Sequence, residues 1–239
     1  MDTIRINSGK TKMIAHRGLS GIECENTAAA FVAAGNRDYF GIETDVHRTL
    51  DGKFIIIHDD TTSRVSADSL SVENNDFKIL RSVRLADKEG KIREDLCLPS
   101  LAEYLRICRA YGKTGVLELK NLFSEYDISE ILKTVRNEYK IDKMIFISFH
   151  FENLVYLRRL EKNARIQFLY SDKVDNALIE RLKAHSFDLD IHYSRLTEAS
   201  IKLLHENGIR VNCWTVDDKH AAEKLALWGV DFITTNILQ

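Results

Sequence analysis

The chain has 239 residues, 44% hydrophobic and 29% charged, which is the composition of a folded globular protein long enough to bury a sizeable core. Its 34 Lys and Arg against 36 Asp and Glu leave a formal charge of −2, which excludes the basic footprint of a nucleic-acid binder and a polybasic membrane anchor. No apolar run approaches the roughly 18 residues of a membrane span, so no stable membrane association is expected. The opening MDTIRINSGK carries an early acid and no apolar h-region, so it does not read as a secretory signal. Cys24, Cys97, Cys108 and Cys213 lie far apart without C-x-x-C or metal spacing, which predicts reduced thiols in a cytoplasmic protein.

In chain order, the first predicted strand is 13–16, ending in His16 and followed by Arg17-Gly18. A first helix is expected over 27–34, between Asn26 and Gly35, and a second strand over 41–46. The run 53–58 follows Asp51-Gly52, a hairpin-forming dipeptide, and is read as an extra strand folded back beside 41–46. It ends in His58, followed by Asp59 and Asp60. Segment 60–98 is polar, charged and weakly periodic, and is read as a small inserted cap over the mouth of the fold. Ser100 and Glu103 form a capping-box pattern for a helix that Gly112 stops.

Strand 116–120 is followed by a helix opened by Asp127 and Glu130, with Ile128, Ile131, Leu132 and Val135 along one stripe. Strands 144–149, 166–170, 187–192, 209–215 and 230–234 then alternate with helices 152–162, 175–185, 197–207 and 218–228, the last two closed by Gly208 and Gly229. Parallel neighbours need helical crossovers, so eight strands alternating with seven helices predict an α/β parallel sheet. A doubly wound open sheet is the competing arrangement, but its dinucleotide-binding form wants a G-x-G-x-x-G after the first strand, and none is there. The expected fold is a (β/α)8 TIM barrel spanning 1–239 as one domain, with the insertion after the second barrel strand and no final helix.

Residues two apart in a strand share a face, so Glu43 pairs with Asp45 and Glu118 with Lys120 at two strand C-terminal ends, where barrel active sites lie. Any one of these acids taken alone reads more readily as a solvated strand end. Together, three converging carboxylates repel unless a divalent ion resolves the conflict, and an all-oxygen set selects Mg²⁺ or Ca²⁺ over zinc. Arg17 offers a planar fork to phosphate oxygens, and Gly18 permits a sharp turn. Two histidines titrating near neutrality, His16 and His58, suit a base and an acid on either side of a phosphate. His47, His185, His192, His205 and His220 lack motif partners and are expected in surface or packing roles, although His47 shares a strand face with Asp45.

The ordered motifs H-R-G at 16–18, E-N-T at 25–27, E-T-D at 43–45, H-D at 58–59 and E-L-K at 118–120 resemble the glycerophosphodiester phosphodiesterase family. Ser148-Phe149, W-T-V at 214–216 and G-V-D at 229–231 extend the resemblance over roughly 13–236. The resemblance implies a metal-dependent hydrolase that releases glycerol 3-phosphate and an alcohol from a small glycerophosphodiester. His16 and His58 would be its acid/base pair, and Glu43, Asp45 and Glu118 its metal ligands. Arg17 and Lys120 would face the phosphate, Glu25 and Asn26 would support the site, and Trp214 would line the glycerol side. A phospholipase or lysophospholipase D acting on intact or lyso-lipids is the alternative enzyme, and a non-catalytic phosphate-binding barrel the alternative class. Three positions depart from the family pattern: Cys24 in place of Pro before E-N-T, His150 in place of Asp or Asn, and Asn236 in place of Asp. None of the three is expected to touch the acid/base or metal set.

Overall fold

The computed structural model describes residues 2–239. Eight parallel strands close into a barrel: β1 (Lys12–Ala15), β2 (Gly41–Arg48), β6 (Thr114–Leu119), β7 (Met144–Ser148), β8 (Arg165–Tyr170), β9 (Asp188–His192), β10 (Val211–Trp214) and β11 (Phe232–Thr235). Closure comes from β1, which pairs with β11 on one side and β2 on the other. The extra strand β3 (Phe54–Ile56) runs antiparallel to β2 with Val46 opposite Ile56, as the Asp51-Gly52 turn predicts. Seven helices follow the barrel strands: α1 (Ala28–Gly35), α3 (Leu101–Tyr111), α4 (Glu125–Glu138), α5 (Phe151–Leu160), α6 (Asn176–His185), α7 (Glu198–Glu206) and α8 (Lys219–Leu227). Among the described residues no helix is long and apolar enough to cross a membrane.

The capping chemistry sets most of the helix starts. Ser100 and Glu103 form the expected reciprocal pair at α3, and Gly112 takes a left-handed φ of 63° at its end. The helix start that departs most from expectation is that of α4, which begins at Glu125 rather than at Asp127. Ser124 accepts from the Asp127 N–H, and the Asp127 carboxylate accepts in return from the Ser124 backbone, so Asp127 is the third residue of the cap. The last strand starts two residues later than expected: Val230 still donates its N–H to the Leu225 carbonyl at the end of α8, and its own carbonyl accepts from Thr11 Oγ1.

Three apolar clusters hold these layers together. The largest lies between the outward faces of the strands and the helices, with Phe31, Tyr104, Leu117, Phe146 and Leu189 at its centre. A second, small cluster of Ile14, Val116, Ile145, Ile147, Leu169 and Phe232 fills the barrel interior below the site. The third belongs to the inserted segment, which contains α2 (Phe77–Ser82) and a hairpin of β4 (Leu85–Ala86) and β5 (Ile92–Arg93). Although 60–98 lacks a strong period, it buries Val65, Val72, Leu80, Leu85, Leu96 and Leu98 against Cys24, Ile55 and Ile57. Its few apolar side chains thus converge on the β1–α1 loop and β3.

The turn after β1 is the tightest point of the frame. Gly18 has φ +75°, and a Cβ there would stand 2.7 Å from the Ala30 backbone, so both the conformation and the space require glycine. Gly18→Ala is expected to cost about 1–3 kcal/mol, seen as a fall in Tm of about 2–4 °C per kcal/mol in thermal unfolding. An unchanged Tm would show that the turn relaxes freely.

Candidate active site

Glu43 and Asp45 project from the C-terminal end of β2, and Asp45 stands opposite Glu118 in the β2–β6 register. One carboxylate oxygen from each of the three lies within 4.8 Å of the others, and all three side chains are buried. Burial, then the charges of Asp45 and Glu118, push the Glu43 carboxyl well above the ordinary range. Burial and Asp45 likewise push Glu118 up to about 7, with Lys120 opposing. Asp45 moves the other way: burial works against it, but Arg17, Lys120 and His58 hold it below the usual value, helped by a hydrogen bond from Asn26. Three buried hard-oxygen donors, two of which resist ionising in the protein alone, fit a divalent cation. Glu43, Asp45 and Glu118 could hold a metal ion.

The cationic side chains sit on the same cluster. Lys120 Nζ is 2.9 Å from Glu118 and 3.8 Å from Asp45. Arg17 Nε is 3.6 Å from Asp45 and has no hydrogen-bond partner among the described residues, while its NH1 binds Glu25 at 2.9 Å. The Arg17 backbone N–H donates to Glu43 at 2.7 Å, and Arg17 takes a left-handed φ of 54°. Asn26 shares the left-handed conformation; its amide donates to Asp45 at 2.8 Å and its oxygen accepts from Thr44 at 2.7 Å. Two strained non-glycine residues facing one carboxylate pair mark where backbone energy is spent on positioning.

A cleft of about 110 Å³ opens above the cluster. It is lined on its polar side by His16, Arg17, Glu43, His58, Glu118 and Lys120, and elsewhere by Trp214 and Asp190. Every residue expected to act directly, apart from the buried Asp45, therefore lines one cavity; Glu25 and Asn26 lie behind it, on Arg17 and Asp45. His58 Nδ1 faces Asp59 at 2.6 Å, which fixes its tautomer and leaves Nε2 free. Against the upward push of burial, hydrogen bonds from Arg64 and His58 hold Asp59 at about 2. Arg64 also grips Glu25 with two hydrogen bonds of 2.8 Å, tying the inserted segment to the partner of Arg17.

The expectation that position 236 would not touch the acid/base set is corrected by the structure. Asn236 Oδ1 lies 2.8 Å from His16 Nδ1, and the Asn236 amide is oriented by its own donation to Asp217. Barrel closure carries the end of β11 to the end of β1, so two motifs at opposite ends of the chain meet. The oxygen can only accept, so His16 carries its proton on Nδ1 and presents a bare Nε2 when neutral. Burial, then the Arg17 charge, holds the His16 pKa below its usual value.

His47 is fully buried, and its Nε2 donates to the His58 carbonyl at 3.1 Å. Its shared strand face with Asp45 was the available signal. His150 occupies the exposed N-cap position of α5 without a side-chain capping hydrogen bond and is not among the cleft-lining residues. Arg64, Asp190 and Asp217 belong to the site's surroundings without any motif of their own to announce them.

Because Glu118 has a pKa of about 7 in the folded protein against 4.5 when unperturbed, the metal-free fold holds a proton that the unfolded chain has lost. In EDTA, stability is therefore expected to fall as pH rises from about 4.5 to about 7. Saturating Mg²⁺ or Ca²⁺ at neutral pH should raise Tm by about 5–10 °C, and Glu118→Gln should remove most of that rise. An equal rise in the variant would place the bound cation elsewhere.

The chain from 16 to 238 matches the model of the glycerophosphoryl diester phosphodiesterase family. It is 28% identical over 229 residues to a glycerophosphodiester phosphodiesterase of Caldanaerobacter subterraneus subsp. tengcongensis, covering 95% of this chain and 94% of that one. Its structure superimposes on an Oleispira antarctica phosphodiesterase in complex with the product sn-glycerol-3-phosphate, with a TM-score of 0.87 at 26% identity, covering 97% and 95% of the two chains. A glycerophosphodiester phosphodiesterase from Parabacteroides distasonis matches with a TM-score of 0.79 at 26% identity, over 95% and 93%. With the barrel closed and the buried carboxylates at its mouth, the chain belongs to the glycerophosphoryl diester phosphodiesterase family.

Proposed function

We propose that this protein hydrolyses small, water-soluble glycerophosphodiesters to glycerol 3-phosphate and an alcohol, using Mg²⁺ or Ca²⁺ held by Glu43, Asp45 and Glu118, with 60–98 as a cap beside the mouth. The observation that carries this reading is the sharing of one cleft by two histidines, an arginine, a lysine and two of the three clustered carboxylates. The product bound to the Oleispira antarctica relative, sn-glycerol-3-phosphate, is the product proposed here.

A phosphodiester already bears negative charge, so attack requires that charge to be offset and the leaving oxygen to be protonated. The cation, when bound, supplies positive charge beside the phosphoryl oxygens. Arg17, whose Nε is free, and Lys120 add hydrogen bonds to those oxygens that strengthen as charge builds in the transition state. His16, neutral and with Nε2 bare, takes the proton from the nucleophile, which is either water or the glycerol 2-hydroxyl; in the second case water then opens the cyclic phosphate to glycerol 3-phosphate. His58, oriented by Asp59 and backed by His47, gives a proton from Nε2 to the departing alkoxide.

Wild-type enzyme should release glycerol 3-phosphate from glycerophosphodiesters with Mg²⁺ or Ca²⁺ and not in EDTA; release in EDTA would sink the cation's role. His16→Ala and His58→Ala should each lower kcat at least about 10²-fold with the fold intact. The loss in His58→Ala should shrink with a p-nitrophenolate leaving group, which needs no protonation, whereas the His16→Ala loss should persist; the opposite pattern would exchange the roles. Asn236→Asp should place a carboxylate on His16 Nδ1, raise its pKa and move the acidic limb of kcat/KM to higher pH.

A further inference from the structure

Arg64, in the inserted segment, places each nitrogen of its guanidinium on a carboxylate oxygen. Nε donates to Asp59 Oδ2 at 2.6 Å, and NH1 and NH2 donate to the two oxygens of Glu25 at 2.8 Å each. The two acids come from different parts of the chain, Glu25 from the β1–α1 loop and Asp59 from the segment after β3. Each has a second partner that lines the cleft. Glu25 Oε1 also accepts from Arg17 at 2.9 Å, and Asp59 Oδ1 faces His58 Nδ1 at 2.6 Å.

The backbone around Arg64 is set for this contact. The Thr62 carbonyl accepts from the Val65 and Ser66 N–H groups, and the Ala86 N–H ties this turn to β4 through the Val65 carbonyl. Val65 and Cys24 are buried in the same apolar cluster, so their chain neighbours Arg64 and Glu25 arrive side by side. The Arg64 side chain is 45% exposed, and a single ion pair at that exposure contributes little to stability. A planar fork shared between two acids does something else: it fixes an orientation, which an ammonium point charge does not. Asp59 needs such a fix, because at 31% exposed its carboxylate is free to turn towards water and leave the imidazole without its acceptor. With Oδ2 held by Arg64, Oδ1 stays aimed at His58.

We propose that Arg64 is a positioning residue for His58: anchored on Glu25, its guanidinium locks the Asp59 carboxylate and, through it, the imidazole at the edge of the cleft. This rests on the glycerophosphodiesterase reading above, in which His58 exchanges a proton with the substrate. Arg64 is not among the cleft-lining residues, so its effect on the reaction passes through His58.

The experiment measures kcat and KM, with Mg²⁺ present, for glycerophosphocholine and for an ester with a p-nitrophenolate leaving group, in Arg64→Ala alone and combined with His58→Ala. Arg64→Ala should lower kcat on glycerophosphocholine about 10- to 30-fold with KM within about threefold, since a reacting group misplaced by about 1 Å costs up to about 10²-fold. Its loss should depend on the leaving group in the same direction as the loss in His58→Ala. In the His58→Ala background, adding Arg64→Ala should change kcat by less than about twofold, because the group through which it acts is gone. About 50 mM guanidinium chloride, far below the molar range that unfolds proteins, should raise the activity of Arg64→Ala at least about threefold, and the same concentration of NaCl should not. The Tm of Arg64→Ala should stay within about 4 °C of wild type, because the apolar cluster of the segment is untouched.

A further tenfold loss in the His58→Ala background, a leaving-group dependence unlike that of His58→Ala, no loss at all, or a loss that guanidinium does not relieve would each overturn the positioning role. A fall in Tm of more than about 10 °C with equal losses on both esters would overturn it too, by assigning Arg64 to the fold of the segment. Failure of the function reading shows separately, as wild-type enzyme inactive on glycerophosphocholine or full activity in His58→Ala; either result removes the role of Arg64 as well.

Discussion

Three carboxylates buried against one another are the constraint around which the rest of this molecule is arranged. Glu43, Asp45 and Glu118 are each at most 8% exposed. Without relief, their mutual repulsion and desolvation would work directly against folding. Relief comes from Arg17 and Lys120 at the same strand ends, from the Arg17 N–H on Glu43 and from the Asn26 amide on Asp45. Each of these places a demand on the backbone: left-handed turns at Arg17 and Asn26, and a glycine at 18 pressed against α1.

The counter-charges need partners of their own, which draws the inserted segment into the site. Arg17 is held by Glu25, Glu25 by Arg64, and Arg64 by Asp59, which orients His58. A continuous run of ion pairs and hydrogen bonds therefore connects Arg17 to His58 through Arg64, one residue of the inserted segment. The segment is anchored at the site by charge and held in shape by its own small apolar core.

The barrel interior divides by height. Below the site it is closed by aliphatic and aromatic side chains, and at the mouth it is charged. Between the two lies a polar belt of Gln167, Asn212 and Thr234 whose hydrogen bonds close on one another. At the level of that belt Asp190 Oδ1 has no hydrogen-bond partner among the described residues, and neither has the Trp214 Nε1–H above it. The polar and apolar walls of the cleft are thereby suited to different parts of one small substrate.

The local sequence determined the barrel, the folded-back strand and most helix caps, because period-2 strands, capping pairs and glycine stops act over a few residues. It also determined which acids share a face, since Glu43, Asp45, Glu118 and Lys120 need only the alternation of a strand and the rule that barrel sites lie at strand ends. Only the tertiary structure decided what meets those residues from elsewhere. Asn236 reaches His16 because β11 closes onto β1, and Arg64 reaches Glu25 because the insertion folds back over the first loop. Gln167 and Asn212 reach each other across the strand that lies between theirs. No local spacing encodes such contacts; they follow from closing a ring of strands and from which polar groups find partners inside it.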